Sequence, residues 1–595
     1  MVSAGRTARA VGVWWARAVR WLESRDVDEE VLLIACGAAI GAAAGLGVVA
    51  FYHLIDAAYW LFIAWPARTF GLGPHLAYLP LLTALALWGA WMVVRRAGVP
   101  DGQNVPDVQL AVAKQNGRVR MRPVVVRTIA SAITLGGGGS AGSEGPVAVL
   151  GAGLGSAAGR LLRLQPRRVK ILVGCGAAAG ISGAFSAPFA GAFFALEEVL
   201  GSFAVGAFSP VLVASVAGAL TVRPFLGRHP AFLIPKYGDT HAWTVLVLFP
   251  FLGVACGLCS ALYTRLFFAT AARLERAAAP AWARPVVGGL AVGAVTLLSG
   301  GLLLGNGHLA IPNEVFGAGD LAWYALVALA VAKIVATSVT LGAGGSGGVF
   351  TPTLFIGAAL GGGLGRLAAG VIPGHGVHPE VWGLVGMAGL VAGATRAPLT
   401  AIFMVFDMTD DYGIVPALVV VAVIAYVTAH RFAPHGLYDG WLARRGEQLS
   451  HGADRAIMDR LHVRDAVDRR VVTVAPGATL ADVVAATRRT RHTTLAVVDH
   501  QRLVGVIAYD DLREAMLDRG DLAPLLVAAD LAVPTETLTP RQSLREALSR
   551  MNARAVDALP VVEGTGDGDA DSRFVGMLTR ADLLAAYERE LAHAV

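Results

Sequence analysis

The apolar positions of this chain fall into long runs between about residues 30 and 435, separated by short breaks rich in Gly, Pro and Arg. Val31 to about Trp65 is long enough to cross a bilayer with some tilt, because a span needs about 20 residues. A loop with Pro66 and Pro74 follows, and Leu76–Val94 spans back to Arg95-Arg96. The next segments are shorter. AGVPDGQNVPD (97–107) precedes a helix of about ten residues, and Val124–Leu135 is too brief to cross unaided. It stops at a glycine-rich loop, from which Val147–Leu164 starts afresh. Residues 1–28 read as a basic amphipathic helix on the membrane surface. Beyond His430 the chain turns polar, and residues 460–590 hold two similar units. LAVV (495–498) and GVIA (505–508) match LPVV (559–562) and GMLT (576–579), with Asp511 and Asp582 at the helix starts that follow. This pattern predicts a pair of small α/β units. The second carries an acidic insertion, Glu563–Asp571, expected as a mobile loop.

The glycine-rich loop occurs twice. Thr134–Pro146 reads TLGGGGSAGSEGP and Thr340–Pro352 reads TLGAGGSGGVFTP. At an offset of 206 they agree at Thr134/Thr340, Ser140/Ser346, Gly142/Gly348 and Pro146/Pro352, and the match runs on through Gly151/Gly357, Gly155/Gly361 and Arg160/Arg366. At an offset of 210, Ala187-Pro188 matches Ala397-Pro398, which sets Glu197 opposite Asp407. In each copy a proline closes the loop and an apolar helix begins, where a missing N–H costs least. Two helix N-termini with uncovered amides, set inside apolar sequence, form a device for holding an anion within a membrane. Short, glycine-interrupted segments in both halves point to a transporter's binding site. Gly151/Gly155/Gly159 and Gly361/Gly365 predict close helix packing.

Composition agrees with the pattern. The 595 residues have a mean hydropathy of +0.59 and are 15% charged, whereas soluble domains are about a quarter charged. A soluble globular protein is excluded. The net charge is +6, but its placement says more. Arginines crowd the N-terminus (Arg6, Arg9, Arg17, Arg20, Arg25) and short loops such as Arg118–Arg122 and Arg160–Lys170. We read these as cytoplasmic by the positive-inside rule, with both termini cytoplasmic, rather than as nucleic-acid contacts. Lysine occurs only at 114, 170, 236 and 333, which points to a bacterium with a GC-rich genome and hence to an inner membrane. Cys36, Cys175, Cys256 and Cys259 all lie in apolar runs. The CxxC spacing of Cys256 and Cys259 has no second pair or His cluster beside it, so it reads as small residues on a helix face and not as a metal site.

These motifs resemble those of the CLC family of chloride channels and chloride/proton exchangers, followed by a pair of CBS domains. Gly142-Ser143-Glu144-Gly145-Pro146 is similar to the family's GREGP, and Gly348-Val349-Phe350-Thr351-Pro352 to its GxFxP. Gly102-Gln103-Asn104-Val105-Pro106 stands where the family has GSGIP, and Leu437-Tyr438-Asp439 where it places a pore tyrosine. The resemblance implies an all-α polytopic membrane domain of about eighteen helices in two inverted halves, followed by an α/β CBS pair. It implies an N-terminal segment over 1–29, a transport domain over 30–450 and CBS domains over 451–525 and 526–595. It also implies a homodimer with one pathway per subunit in the lipid bilayer, an inorganic anion and protons as partners, and no enzymatic activity. Glu144 matches the gating glutamate that competes with an anion and carries a proton. Glu198 matches the intracellular proton glutamate of exchangers, which favours coupled exchange over a passive channel. Gln103, Gly145, Val349, Phe350 and Tyr438 match the anion-binding positions.

Two positions depart from the family pattern. Ser143 replaces the Arg of GREGP and removes a fixed charge beside the gate. Gln103 replaces a Ser and offers two donors and one acceptor where a hydroxyl offers one donor, an exchange that could turn selectivity toward nitrate or bicarbonate. No cofactor is required. An adenine nucleotide between the CBS units is the family's usual ligand, with Thr579 and Asp582 in a GxxTxxD pattern. In the first unit Asp511 is present but Ala508 takes the Thr position. Use of the pair only for dimer contacts and stability is the alternative. A serine-protease reading of Gly344-Gly345-Ser346-Gly347 would need a His within reach of Ser346.

Overall fold

The computed structural model describes residues 29–69, 76–99, 104–227, 247–277, 279–307, 311–316, 321–373, 377–447, 458, 460–490, 493–518, 525–554, 556–564 and 573–594. The expected surface helix over 1–28, Gln103, and residues 565–571 of the acidic insertion lie outside them. The chain divides into two compact units, Met1–Leu449 and Ser450–Val595.

The first unit is helical. Seven helices among the described residues are long and apolar enough to cross a membrane. Glu29–Tyr59 opens the series, and its outward side presents Leu46 and Leu54, as a lipid-facing surface requires. The chain does not break into a loop at Pro66. A π-helical stretch, Trp60–Ala64, leads directly into the helical turn Trp65–Thr69. The wider π turn accommodates a proline that lacks an N–H and crowds the preceding carbonyls. The short helices appear where the apolar runs were short: Val105–Lys114 has 10 residues.

Eight helices build the repeat. The first copy comprises α1 (Met121–Gly136), α2 (Glu144–Leu161), α3 (Pro166–Phe185) and α4 (Pro188–Phe194). The second comprises α5 (Trp323–Gly342), α6 (Phe350–Val371), α7 (Pro379–Thr395) and α8 (Pro398–Thr409). Proline stands in the first turn of α3, α4, α7 and α8. Ser186 (φ 54°) ends α3 and Arg396 (φ 71°) ends α7, each in the left-handed region just before the next proline-led helix. Helix α2 packs along α3 and α6 along α7. A Cβ on Gly151 would strike the carbonyl of Gly176, and one on Gly357 the carbonyl of Gly386, so both seams require backbone-to-backbone approach. This is the close packing that the small-residue spacing predicts.

The second unit holds a five-stranded mixed sheet in the order β1-β2-β3-β5-β4: Thr473–Val474, Thr494–Asp499, Arg502–Ala508, Arg573–Thr579 and Ala558–Glu563. The antiparallel pairs β2/β3 and β4/β5 each carry an irregularity at the same place, between Val497 and Val498 and between Val561 and Val562. Each half buries its own apolar set, around Val483, Leu495 and Val497 in one and Leu544, Leu559 and Val561 in the other. The two α/β units expected from the strand runs are therefore present.

Candidate functional site

The two glycine loops meet face to face. Gly142 and Gly348 exchange both backbone hydrogen bonds, 2.8 and 2.7 Å, as a one-pair antiparallel bridge. Around it two pairs of hydrogen bonds repeat across the bridge. Ser140 N–H donates to Thr340 Oγ1 (3.1 Å), and Ser346 N–H donates to Thr134 Oγ1 (3.1 Å). The Ser140 hydroxyl pairs with Thr337 and the Ser346 hydroxyl with Ser131, both at 2.9 Å. Every one of these residues maps onto its counterpart at the offset of 206, so a local two-fold axis passes through the bridge. The network satisfies backbone groups that would be costly to bury at membrane depth. It also gives Ser346 a structural role matching that of Ser140.

The N-termini of α2 and α6 are thereby brought together. Their first residues, Glu144 and Phe350, are counterparts in the repeat, and the Glu144 carboxylate reaches from one helix start to the other. Its Oε1 accepts the Phe350 N–H at 2.5 Å and its Oε2 accepts the Thr351 hydroxyl at 2.7 Å. Glu144 is fully buried. A Cβ on either Gly142 or Gly348 would overlap this carboxylate, so glycine on both flanks leaves it room in this seat. The carboxylate holds the position that an anion would take at the α6 terminus, where N–H groups and the helix dipole favour negative charge. The Phe350 ring packs in the core against Phe185 and Phe194, while its amide faces the Glu144 carboxylate. Ser143 is buried, and its hydroxyl lies 3.4 Å from that of Tyr52.

Beside this seat lies a cavity of about 780 Å³, bordered by Gly145, Gly348, Val349 and Tyr438. Its wall also carries Arg95, Arg127, Arg284, Arg444 and Arg445, with Glu275 the one acidic residue among the described lining. Asn104 reaches the cavity from the start of Val105–Lys114, where its N–H donates to Asp107 at 3.1 Å. Asp107 in turn pairs with Arg445 at 2.7 Å. The structure thus gathers Gly145, Val349 and Tyr438 on one cavity and Glu144 with Phe350 beside it. Gln103, next to Asn104 in sequence, lies outside the described residues.

Glu198 stands apart, on the π-helical stretch Ala195–Leu200 that continues α4, and is 6% exposed. Gln109 on the short helix Val105–Lys114 holds it, its Nε2 donating to the Glu198 carbonyl (2.8 Å) and to Oε2 (3.0 Å). Glu197 has a different task. Its carboxylate accepts the Leu399 and Thr400 amides at the start of α8, and Asp407 accepts the Ala190 amide at the start of α4. The pair set opposite each other by sequence are reciprocal caps, each closing a proline-led helix of the other half. Gln109 and Thr351 were not legible as site residues. A Gln in an apolar decamer and a Thr after a motif phenylalanine carry no signal until the fold sets a carboxylate beside them. Replacing Gln109 with Leu removes two hydrogen bonds to a buried residue, at a cost of about 1–3 kcal/mol. Gln109→Leu is therefore expected to lower the Tm of the purified chain in detergent; an unchanged Tm would refute this hold on Glu198.

In the second unit the Thr579 hydroxyl and N–H both bond Asp582 Oδ2, at 2.6 and 3.1 Å, and close a capping box at the start of Arg580–Ala594. Asp511 accepts the Ala508 N–H at 3.4 Å, and alanine has no hydroxyl to add a second bond. Thr479 and Asp482 form a box like that of Thr579 and Asp582, and these hydrogen bonds hold the exposed Asp482 carboxyl below its usual range. Its contribution is therefore complete above the ordinary Asp value and is lost as pH falls through the lowered one.

Known proteins place this architecture. The family model described as voltage gated chloride channel matches residues 83–430, and the CBS domain model matches 463–518 and 528–589. A ClcB-like chloride channel protein of Ralstonia nicotianae is 33% identical over 428 residues, covering 69% of this chain and 97% of its own. The H(+)/Cl(-) exchange transporter ClcA of Yersinia pestis is 30% identical over 446 residues, covering 72% of this chain and 90% of its own. The crystal structure of a slow cyanobacterial Cl-/H+ antiporter superposes with a TM-score of 0.62 at 21% identity, over 69% of this chain and 97% of that one. The chain belongs to the CLC family of voltage-gated chloride channels and related exchangers and carries a CBS pair. It is an integral membrane protein.

Proposed function

We propose that the chain is a secondary active antiporter exchanging chloride or a related monovalent anion for protons. The observation that carries this reading is the Glu144 carboxylate seated on the Phe350 amide and the Thr351 hydroxyl, between two apposed helix N-termini. An acid in an anion's seat excludes the anion while ionised and yields to it once protonated and withdrawn, so the two fluxes are linked. The Phe350 and Val349 amides, the Gly145 backbone and the Tyr438 hydroxyl serve the anion. Glu198, buried and held by Gln109, serves as the second proton carrier, and its presence favours exchange over passive flow. A passive channel is the second reading, favoured by the name of the Ralstonia relative. Purified protein in liposomes separates the two: an imposed chloride gradient is expected to drive proton movement, and dissipation of the gradient with no pH change would refute exchange.

We also propose a homodimer with a pathway in each subunit, lying in a bacterial inner membrane with cytoplasmic termini, as the family resemblance and the arginine-rich loops support. Gln103 sets the anion preference, because its amide adds a second donor where the family has a hydroxyl. Gln103→Ser is expected to shift the flux ranking toward chloride and away from nitrate and bicarbonate; an identical ranking in the variant would remove this role. An adenine nucleotide at the CBS pair would engage the second unit, where Thr579 and Asp582 are present, more readily than the first. Calorimetry of the intact chain with ATP tests this, with weakened binding expected in Asp582→Asn.

A further inference from the structure

We propose that the arginine-lined cavity is a binding site for a polyvalent phosphate compound, which occupies it in competition with the transported anion. The first reason is size. At about 780 Å³ the cavity falls within the range of pockets that enclose whole organic ligands, about 300–1,000 Å³, and far exceeds what a single halide fills. The second is charge. Arg95, Arg127, Arg284 and the adjacent pair Arg444-Arg445 converge on it from four stretches of the chain, with Glu275 the one carboxylate among the described lining and Asp107 paired with Arg445 behind it. Glu275 is already engaged by Arg444 at 3.0 Å, and its carbonyl accepts from Arg284 at 2.9 Å. Guanidinium forks match phosphate oxygens in pairs.

The third reason is preorganisation. Arg95 lies over the Trp91 ring at 4.9 Å and Arg445 over the Trp441 ring at 5.5 Å, so two cations on different walls are held by aromatic faces that also border the cavity. Fixing long side chains beforehand lowers the entropy lost when a ligand binds. The fourth is position. The same cavity borders Gly145, Val349 and Tyr438, so a bound polyanion obstructs the approach to the Glu144 seat. That consequence for flux rests on the transport reading above, whereas binding itself does not.

The test uses inorganic tripolyphosphate, which has no base or ribose, on the intact chain. Calorimetry in detergent is expected to show saturable binding that weakens about tenfold or more in Arg95→Gln and in Arg284→Gln, and by less in Arg284→Lys, which keeps the charge without the fork. Chloride flux in liposomes with the probe on both faces is expected to slow, and to recover in the Gln variants as a fraction of each variant's own flux. Elution profiles show whether each variant folds, and Arg95→Gln alone suffices should Arg284→Gln not fold. No saturable binding, or equal binding in the arginine variants, overturns the proposal. So does binding lost in Asp582→Asn but retained in the arginine variants, which would assign the phosphate to the CBS pair. Binding without any effect on flux overturns the competition with the transported anion.

Discussion

Glu144→Gln is expected to abolish proton movement and leave anion flux in place. The amide keeps the shape of the side chain, and its oxygen can still accept the Phe350 N–H. It cannot take up or release a proton in this range. Positioned acids and bases contribute about 100- to 10,000-fold to proton transfer, so coupled proton flux should fall at least about 100-fold. Anion flux should persist, because a neutral amide no longer offers the α6 terminus a competing negative charge. The check is simultaneous recording of chloride and pH in proteoliposomes under an imposed anion gradient. Proton movement retained at its original ratio to chloride would sink Glu144 as the carrier.

The second large effect is expected from Gly348→Ala. The added methyl group would overlap the Glu144 carboxylate and stand 2.8 Å from the Gly145 nitrogen. The carboxylate is the mobile partner and leaves its seat, while the backbone of the opposite loop must also shift. Overpacking of this kind costs about 1–3 kcal/mol, enough to depopulate the seated conformation by about 5- to 150-fold. Proton coupling should therefore drop in a protein that still elutes as a folded species. Gly142→Ala, on the other side of the same carboxylate, should behave alike, since each loop contributes one flank. Normal coupling in both variants would show that the seated carboxylate is not on the transport path.

Much of this was legible in the chain. A glycine loop closed by proline and followed by small apolar residues is a local signal, because each glycine and proline acts on its own stretch of backbone. Its recurrence at an offset of 206 exposed the two halves, and the shortness of the flanking apolar runs marked the site. The strand runs of the tail were as readable, since β2, β3, β4 and β5 are continuous local patterns. The loop expected at Pro66 was not a loop, because a π turn absorbs the proline and no residue type announces such a turn.

What escaped the sequence is whatever depends on the two halves meeting. Ser140 and Thr340 are 200 residues apart, and only the docking of the loops makes them partners. Glu197 and Asp407 read as an acidic pair at matching places, yet their work as crossed helix caps needs both helix starts in position. Gln109 gains meaning only beside Glu198, and the cavity arginines only where four separate stretches converge. The sequence by itself determined the membrane class, the twofold repeat, the α/β tail and the residues able to bare amides to an anion, all of which follow from short-range periodicity and backbone chemistry. The tertiary structure alone decided which carboxylate sits on which amide, because a hydrogen bond between distant segments is fixed by packing geometry that no local pattern encodes.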